Sequence, residues 1–410
     1  MLSLFKQNKM YRVFLSYQFF SAIGSAMFSM FILLAVHLIY ENPIYTGIAG
    51  LLMAAPRICS FAVGPIVDRR SKVAIMRLTT LLEFLVLALL AFTPLLDSLG
   101  VIFMFAVIFV YNTAALFETP AGTALLPQIV PEEKILEANS LIDIVAMAGG
   151  IAIGTVLFIA LGMEVNFSFL FGFSAVFLAI TFILSLFLKN PAKKENVAKT
   201  APSKYFADLK EGAKFIRRNI LLYITIAVVA MDFFSEISFV NRPMFLEYHV
   251  GAQGYIVFTL MGLVGGIIGS YFAGKIGGKF RLGRFIFALF MLAGIVRVSF
   301  ALVVPVQYIG GLVTIVVYIA LVELLDTIFT SLNQKIPPED MVGRVNTMST
   351  TFVAIFTAIG ALAGGFLGSI VPVVDHIFIF QGASYVLIGA LLMFAPSFRK
   401  LPAMNEIKKQ

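Results

Sequence analysis

The chain of 410 residues has a single cysteine, three histidines and little charge, with only 13% of its residues Asp, Glu, Lys or Arg. One thiol, Cys59, set within an apolar run, excludes a disulfide framework and a thiolate metal site. His and Cys nowhere cluster at ligand spacing, so no metal or other cofactor is expected. A phosphate-cradling loop ending in Gly-Lys-Ser or Gly-Lys-Thr is missing too, which argues against a nucleotide-driven enzyme and against an enzyme in general. Polar stretches long enough to fold as a soluble domain are also lacking. What remains is apolar: 60% hydrophobic residues and a mean hydropathy of +0.98, outside the range of soluble domains and typical of a polytopic membrane protein.

A net charge of +8 could suggest nucleic acid as a partner, but the placement of the bases excludes it. All Lys and Arg except Arg57, Arg242 and Arg297 flank apolar runs on one side of the expected membrane, which is the positive-inside pattern. The runs fall at 13–37, 45–67, 73–95, 99–126, 139–161, 167–189, 219–247, 253–276, 283–303, 307–334, 344–370 and 376–396, giving about twelve transmembrane helices with both termini cytoplasmic. Lys6, Lys9 and Arg12 precede a first run that is too long for a signal peptide and lacks a small-residue cleavage site, so that helix is expected to be retained. The cell membrane is the expected location. The outer turns, such as Asn42-Pro43, are short and free of bases, which excludes large outer domains.

One charged stretch sets the orientation of the rest. Gly64-Pro65-Ile66-Val67-Asp68-Arg69-Arg70-Ser71-Lys72 is too charged for hydrocarbon, and its excess of bases puts it on the cytoplasmic side. A glycine that lets helices approach, then an acid, then several bases resembles the loop signature between the second and third helices of major facilitator superfamily transporters, with Ser71 where that family has Gly. Two more inner loops, Pro127-Gln128-Ile129-Val130-Pro131-Glu132-Glu133 running to Ala138-Asn139, and Pro338-Glu339-Asp340-Met341-Val342-Gly343-Arg344-Val345-Asn346, resemble those of the branch that includes macrolide-efflux and siderophore-export proteins. The resemblance implies a secondary transporter, an exporter more than an importer, in which the first, fourth, seventh and tenth helices line a central cavity.

Internal repetition points the same way. Glu118-Thr119, Pro131-Glu132-Glu133 and Asn139 recur as Asp326-Thr327, Pro338-Glu339-Asp340 and Asn346, an offset of about 208 residues, as a half-chain repeat of six spans produces. The expected fold is therefore all-α, with pseudo-symmetric six-helix bundles at 1–189 and 219–410 joined by a cytoplasmic linker at 190–218. Within the linker, Ser203 could cap a helix with Phe206, Leu209, Ala213 and Ile216 on one face and Lys204, Lys210, Lys214 and Arg217 elsewhere, which suits a helix lying on the inner leaflet. A solvated linker with some helix is the alternative.

A charge near the middle of a membrane helix costs roughly 2.5–3.5 kcal/mol, so each one needs a partner, a wet cavity or a task. Arg57, Glu83, Asp232, Glu236, Arg297 and Glu323 qualify, with Asp143 and Glu118 nearer the inner face. Asp232 and Glu236 stand at i, i+4, and Glu323 and Asp326 at i, i+3, so each pair shares a helix face. Like charges on one face repel, and taking up a proton relieves the repulsion, which is what a proton-coupled carrier requires. The alternative is that a base such as Arg242 or Arg297 neutralises each acid and the groups only pack. Arg57 and Glu83, on neighbouring helices of one hairpin, are expected to pair. Asp143 is either a proton site or a cap at the start of the fifth span. Asp232, Glu236, Glu323, Arg57, Arg297 and Asp143 are the candidate proton and substrate residues.

The resemblance adds a gate made of Gly64, Asp68, Arg69, Lys72, Glu118 and Asp326. It implies that Glu118 engages Lys72 or Arg69, and that Asp68 sits near the N-terminus of the eleventh helix, where the dipole favours an anion. Aromatic residues of the first and fourth spans, such as Tyr17, Phe28 and Tyr111, would suit a bulky amphipathic ligand. The whole implies proton antiport of an amphipathic or cationic small molecule by a monomer in the lipid bilayer. A lipid or lysolipid translocator and a siderophore or metallophore exporter share the expected fold, and a non-transporting membrane receptor is the less favoured alternative.

Overall fold

Inside a bilayer an apolar run has no hydrogen-bond partner for its backbone except itself, so it closes as a helix. The computed structural model describes residues 8–91, 93–131, 138, 141–142, 145, 149, 167–189, 202–276, 280–338 and 341–407. Among the described residues there is no strand, and ten helices are long and apolar enough to cross a membrane. They correspond to the first, third, fourth, sixth and seventh to twelfth expected spans, and we keep those ordinals. The fifth, 139–161, lies almost wholly outside the described residues, Asp143 included.

The second span is helical but broken, as Pro43–Ile58 and Ser60–Arg69. Pro56 removes one backbone donor, and three residues later the chain tightens into i→i+3 bonds, Cys59 N–H to the Pro56 carbonyl and Ala62 N–H to the Cys59 carbonyl. Helix then continues through Gly64, Asp68 and Arg69, so the turn to the third span is only Arg70-Ser71. The expected charged loop is therefore mostly a helix end. Ser71 accepts the Ala74 N–H at 3.1 Å, which makes the residue that departs from the family pattern an N-cap for Lys72–Ala91.

Contacts divide the helices into two compact units, Met1–Glu41 with Ala55–Thr200, and Asn42–Ala54 with Ala201–Gln410. In the first, span 6 (Phe167–Phe187) packs on spans 1 and 3, and span 3 packs on span 4. Arg77 of span 3 clamps the end of span 6, donating to the carbonyls of Ser185 (3.0 Å), Leu186 (3.2 Å) and Leu188 (2.8 Å), where a cation also suits the helix dipole. Asn8 accepts the Tyr11 N–H at 3.0 Å and starts span 1.

In the second unit, spans 7 and 8 form one continuous element, Leu221–Ile276, turned at Gly251, whose φ of 74° favours glycine. Span 9 packs on span 12, and the 7–8 pair packs on spans 10 and 11. Gly294 and Gly382 cross so closely that a methyl on either would lie 2.5–2.6 Å from the other's carbonyl oxygen, the small-residue contact that membrane helices use. Gly360 and Gly364 of span 11 meet the backbone of span 7 in the same way. The linker helix, Pro202–Arg218, packs on spans 7 and 11.

Candidate functional site

In the first unit, spans 1, 3 and 4 bring two acids together among hydroxyls. Glu118 of span 4 accepts from Tyr17 Oη at 2.6 Å and Ser21 Oγ at 2.8 Å, both on span 1 and one turn apart. Tyr17 is fully buried, and its hydroxyl also meets Thr80 Oγ1 of span 3 at 2.7 Å. One turn along that helix lies Glu83, 0% exposed, within electrostatic reach of Glu118. Among the described residues no donor side chain is directed at either Glu83 oxygen. Deeper along span 4, Tyr111 stacks on Phe28 with ring centroids 3.7 Å apart and donates to Ser25 at 3.3 Å.

This arrangement corrects two expectations. Arg57 is exposed, two residues before the break at Cys59, and does not pair with Glu83, which faces span 4 instead. Glu118 bonds Tyr17 and Ser21, and Lys72 Nζ reaches the Arg70 carbonyl at 3.4 Å. Gly64, Asp68 and Arg69 lie on the helix Ser60–Arg69; their side chains are outside the described residues. Tyr17, Phe28 and Tyr111, expected to line a cavity, are core residues.

In the second unit the acids gather at spans 7 and 10. Asp232 lies within electrostatic reach of Asp326, which neighbours Glu323 on the same helix. Glu323 accepts from Ser270 of span 8 at 3.2 Å. Asp326 is exposed, while Asp232 and Glu323 are half-buried. The Glu236 side chain lies against Gly50 of span 2 and Gly360 of span 11.

Arg297 of span 9 is 4% exposed and neutralises none of these acids. Its Nε donates to Gln381 Oε1 at 2.5 Å and its Nη2 to Ser238 Oγ at 3.4 Å. Its guanidinium stacks over Tyr318, Phe378 and Phe300 at 4.5–5.0 Å, a disposition that spreads a buried charge over ring faces. Gln381 Nε2 passes the network on to Tyr318 Oη (2.7 Å) and Ser235 Oγ (3.2 Å), and Ser235 meets Tyr385 Oη at 2.7 Å. Arg242 stacks on Phe239 and Tyr255, and its buried Nε has no hydrogen-bond partner. Gln381, Tyr385, Ser235 and Ser238 were not singled out from the sequence, although an amide within the apolar run 376–396 is a signal of the same kind as a charge there.

Residues 13–361 match the family model described as Major Facilitator Superfamily. The chain belongs to this superfamily. A Bacillus subtilis (strain 168) relative, described as the uncharacterized MFS-type transporter YvqJ, is 24% identical over 308 residues, 72% of each chain. Among solved structures, the nucleoside transporter NupG superposes with a TM-score of 0.77 at 13% identity, covering 98% of this chain and 100% of its own. A bacterial homologue of the iron transporter ferroportin, in an inward-facing state, gives 0.69 at 15% identity over 94% and 98%. At such identities the likeness establishes the facilitator fold and leaves the cargo to the chemistry of the two units. As a facilitator the chain is a multi-pass membrane transporter of a small molecule.

Proposed function

We propose that this facilitator exports an amphipathic or cationic small molecule in exchange for protons, by alternating access, as a monomer in the cell membrane with both termini cytoplasmic. The observation that carries the reading is Glu83 near Glu118: a fully buried carboxyl within electrostatic reach of a second acid, with no donor side chain on its oxygens among the described residues. Two acids this close in a low dielectric resist ionising together, so the pair can take up a proton and release it when a change of state admits water or a cation. Tyr17 and Ser21 hold the Glu118 carboxyl in place by hydrogen bonds.

Charge in the second unit supports a cationic cargo. Arg297 is held by Gln381, Ser238 and three rings, which leaves Asp232, Glu323 and Asp326 available to a proton or a cation. The turn after Ser60–Arg69, with Gly64, Asp68, Arg69 and Lys72, retains the proposed role of a gate. The positive-inside distribution of Lys and Arg is the ground for the orientation.

The test uses everted membrane vesicles with an internal pH dye, an imposed inside-acid gradient and a panel of cationic and amphipathic compounds. Proton release that certain compounds trigger, and that disappears in Glu118→Gln and in Asp232→Asn, is the expected result. A gradient that every compound leaves undisturbed, with folded protein in the membrane, removes the antiport reading for that panel.

A further inference from the structure

The second unit contains a cavity of about 620 Å³ between the linker helix, span 7 and span 11. Span 7 contributes a single stripe, Leu222, Thr225, Ile226, Val229, Ala230 and Phe233; Phe352 and Phe356 form the facing wall, and Ala213, Ile216 and Arg217 of the linker helix close one end. From Leu222 to Phe234 the helix rises roughly 18 Å at 1.5 Å per residue, a little more than half of the ~30 Å hydrocarbon thickness. The slot thus has the reach of one leaflet's acyl chains.

Only two of the named side chains are polar, and each stands where a phospholipid has a polar group. Arg217 is exposed at the end formed by the linker helix. Lys210, Lys214 and Arg217, at i, i+4 and i+7, form a basic stripe there, and among the described residues none of them makes an ion pair; Glu211 is held instead by Arg344 at 2.5 Å. Thr225 lies one turn into the slot, is 7% exposed, and its buried Oγ1 has no hydrogen-bond partner. A buried hydroxyl without a partner costs free energy unless a ligand or water completes it. Beyond Thr225 the lining named above is aliphatic and aromatic to its far end.

We infer that this cavity seats one acyl chain of an anionic phospholipid from the surrounding leaflet, with the phosphate on Arg217 and an ester carbonyl accepting from Thr225. Phosphate, ester and chain then follow in the order Arg217, Thr225, Phe233. The bound lipid ties the linker helix to spans 7 and 11, so the linker's docking depends on the anionic fraction of the membrane. This site stands apart from the carboxylate clusters and does not rest on the proton-antiport reading.

Delipidated full-length protein in detergent is titrated with phosphatidylglycerol or with phosphatidylcholine of the same chains, and retained lipid is counted by intact-complex mass spectrometry. One phosphatidylglycerol retained about tenfold more tightly than phosphatidylcholine is expected, with Arg217→Gln removing that preference, as loss of one charge-assisted hydrogen bond implies. Ala230→Phe, which fills the slot, is expected to expel both lipids; should it not fold, Thr225→Val takes its place and weakens both by a fewfold. Equal retention of the two lipids by the natural protein overturns the proposal, and so does a phosphatidylglycerol preference that survives Arg217→Gln. Displacement of the retained lipid by a transported compound overturns it as well, because the cavity would then be a cargo site.

Discussion

Glu118 and Asp326 stand 208 residues apart in sequence, and each has a second acid for a neighbour, but from a different helix. In the first unit the neighbour is Glu83 on span 3; in the second it is Asp232 on span 7. Carried across the offset of about 208 residues of the half-chain repeat, Glu83 falls on Met291, Asp232 on Gly24, Arg297 on Leu89 and Gln381 on Phe173. These residues of one half thus have no polar counterparts at the matching positions of the other. The first unit buries an acid and surrounds its partner with hydroxyls. The second buries Arg297 against an amide, a hydroxyl and three rings and leaves its acids half-buried or exposed. On the proposed antiport, the cation in its neutral shell serves structure and the buried acid facing another acid exchanges protons.

The largest test of this contrast is Arg297→Met. Removing the cation withdraws its hydrogen bonds to Gln381 and Ser238 and three ring contacts, so a stability loss of about 1.5–3 kcal/mol is expected, read as a drop in Tm of the detergent-solubilised protein. If Tm stays level while transport fails, Arg297 belongs with the functional groups and the contrast breaks. Glu83→Gln should behave in the opposite way. The amide matches the carboxyl in shape and can donate to Glu118, so stability is expected to hold within about 1 kcal/mol. Coupled proton release should fall at least about tenfold, equivalent to 1.4 kcal/mol. A Tm collapse in Glu83→Gln with coupling retained per folded molecule would make the acid pair a packing device.

Much of the fold was legible because lipid leaves an apolar run few options, and the ten described spans fall where hydropathy placed them. The break in span 2 was less so. Pro56 was visible, but a proline in a membrane helix is also compatible with an unbroken span, and tertiary contacts decide which. What sequence could not give was which faces meet. Glu83 has Arg57 nearby along the hairpin, and only the rotation of span 3 toward span 4 shows that its neighbour is Glu118. Arg297 looked like a free charge because its partners, Gln381 and Ser238, are neutral residues on other helices. Charge-based reading finds ion pairs more readily than amide and aromatic shells.

Smaller effects sharpen the comparison within each unit. Tyr17→Phe deletes one hydrogen bond to Glu118 and one to Thr80 while keeping the ring, so a loss of about 0.6–1.5 kcal/mol in thermal stability is expected. Its informative readout is coupled proton release per folded molecule, which should fall a fewfold because the hydroxyl that orients Glu118 is gone, and unchanged coupling would detach Tyr17 from the exchanging pair.

Glu211→Gln is expected to do least. The Glu211–Arg344 bridge joins the linker helix to the start of span 11, and with the Glu211 side chain 56% exposed such a pair contributes about 0.5 kcal/mol or less, reduced further by salt. Hydrogen exchange at the backbone amides of 211–218 should rise by about twofold at low ionic strength and converge with the natural protein in high salt. A much larger rise would mean that the bridge holds the linker helix almost alone. In that case the apolar contacts of Ala213 and Ile216 with spans 7 and 11, rather than the ion pair, would be the minor part of the docking, and the second unit would depend on a surface charge where the first uses the half-buried clamp of Arg77 on backbone carbonyls.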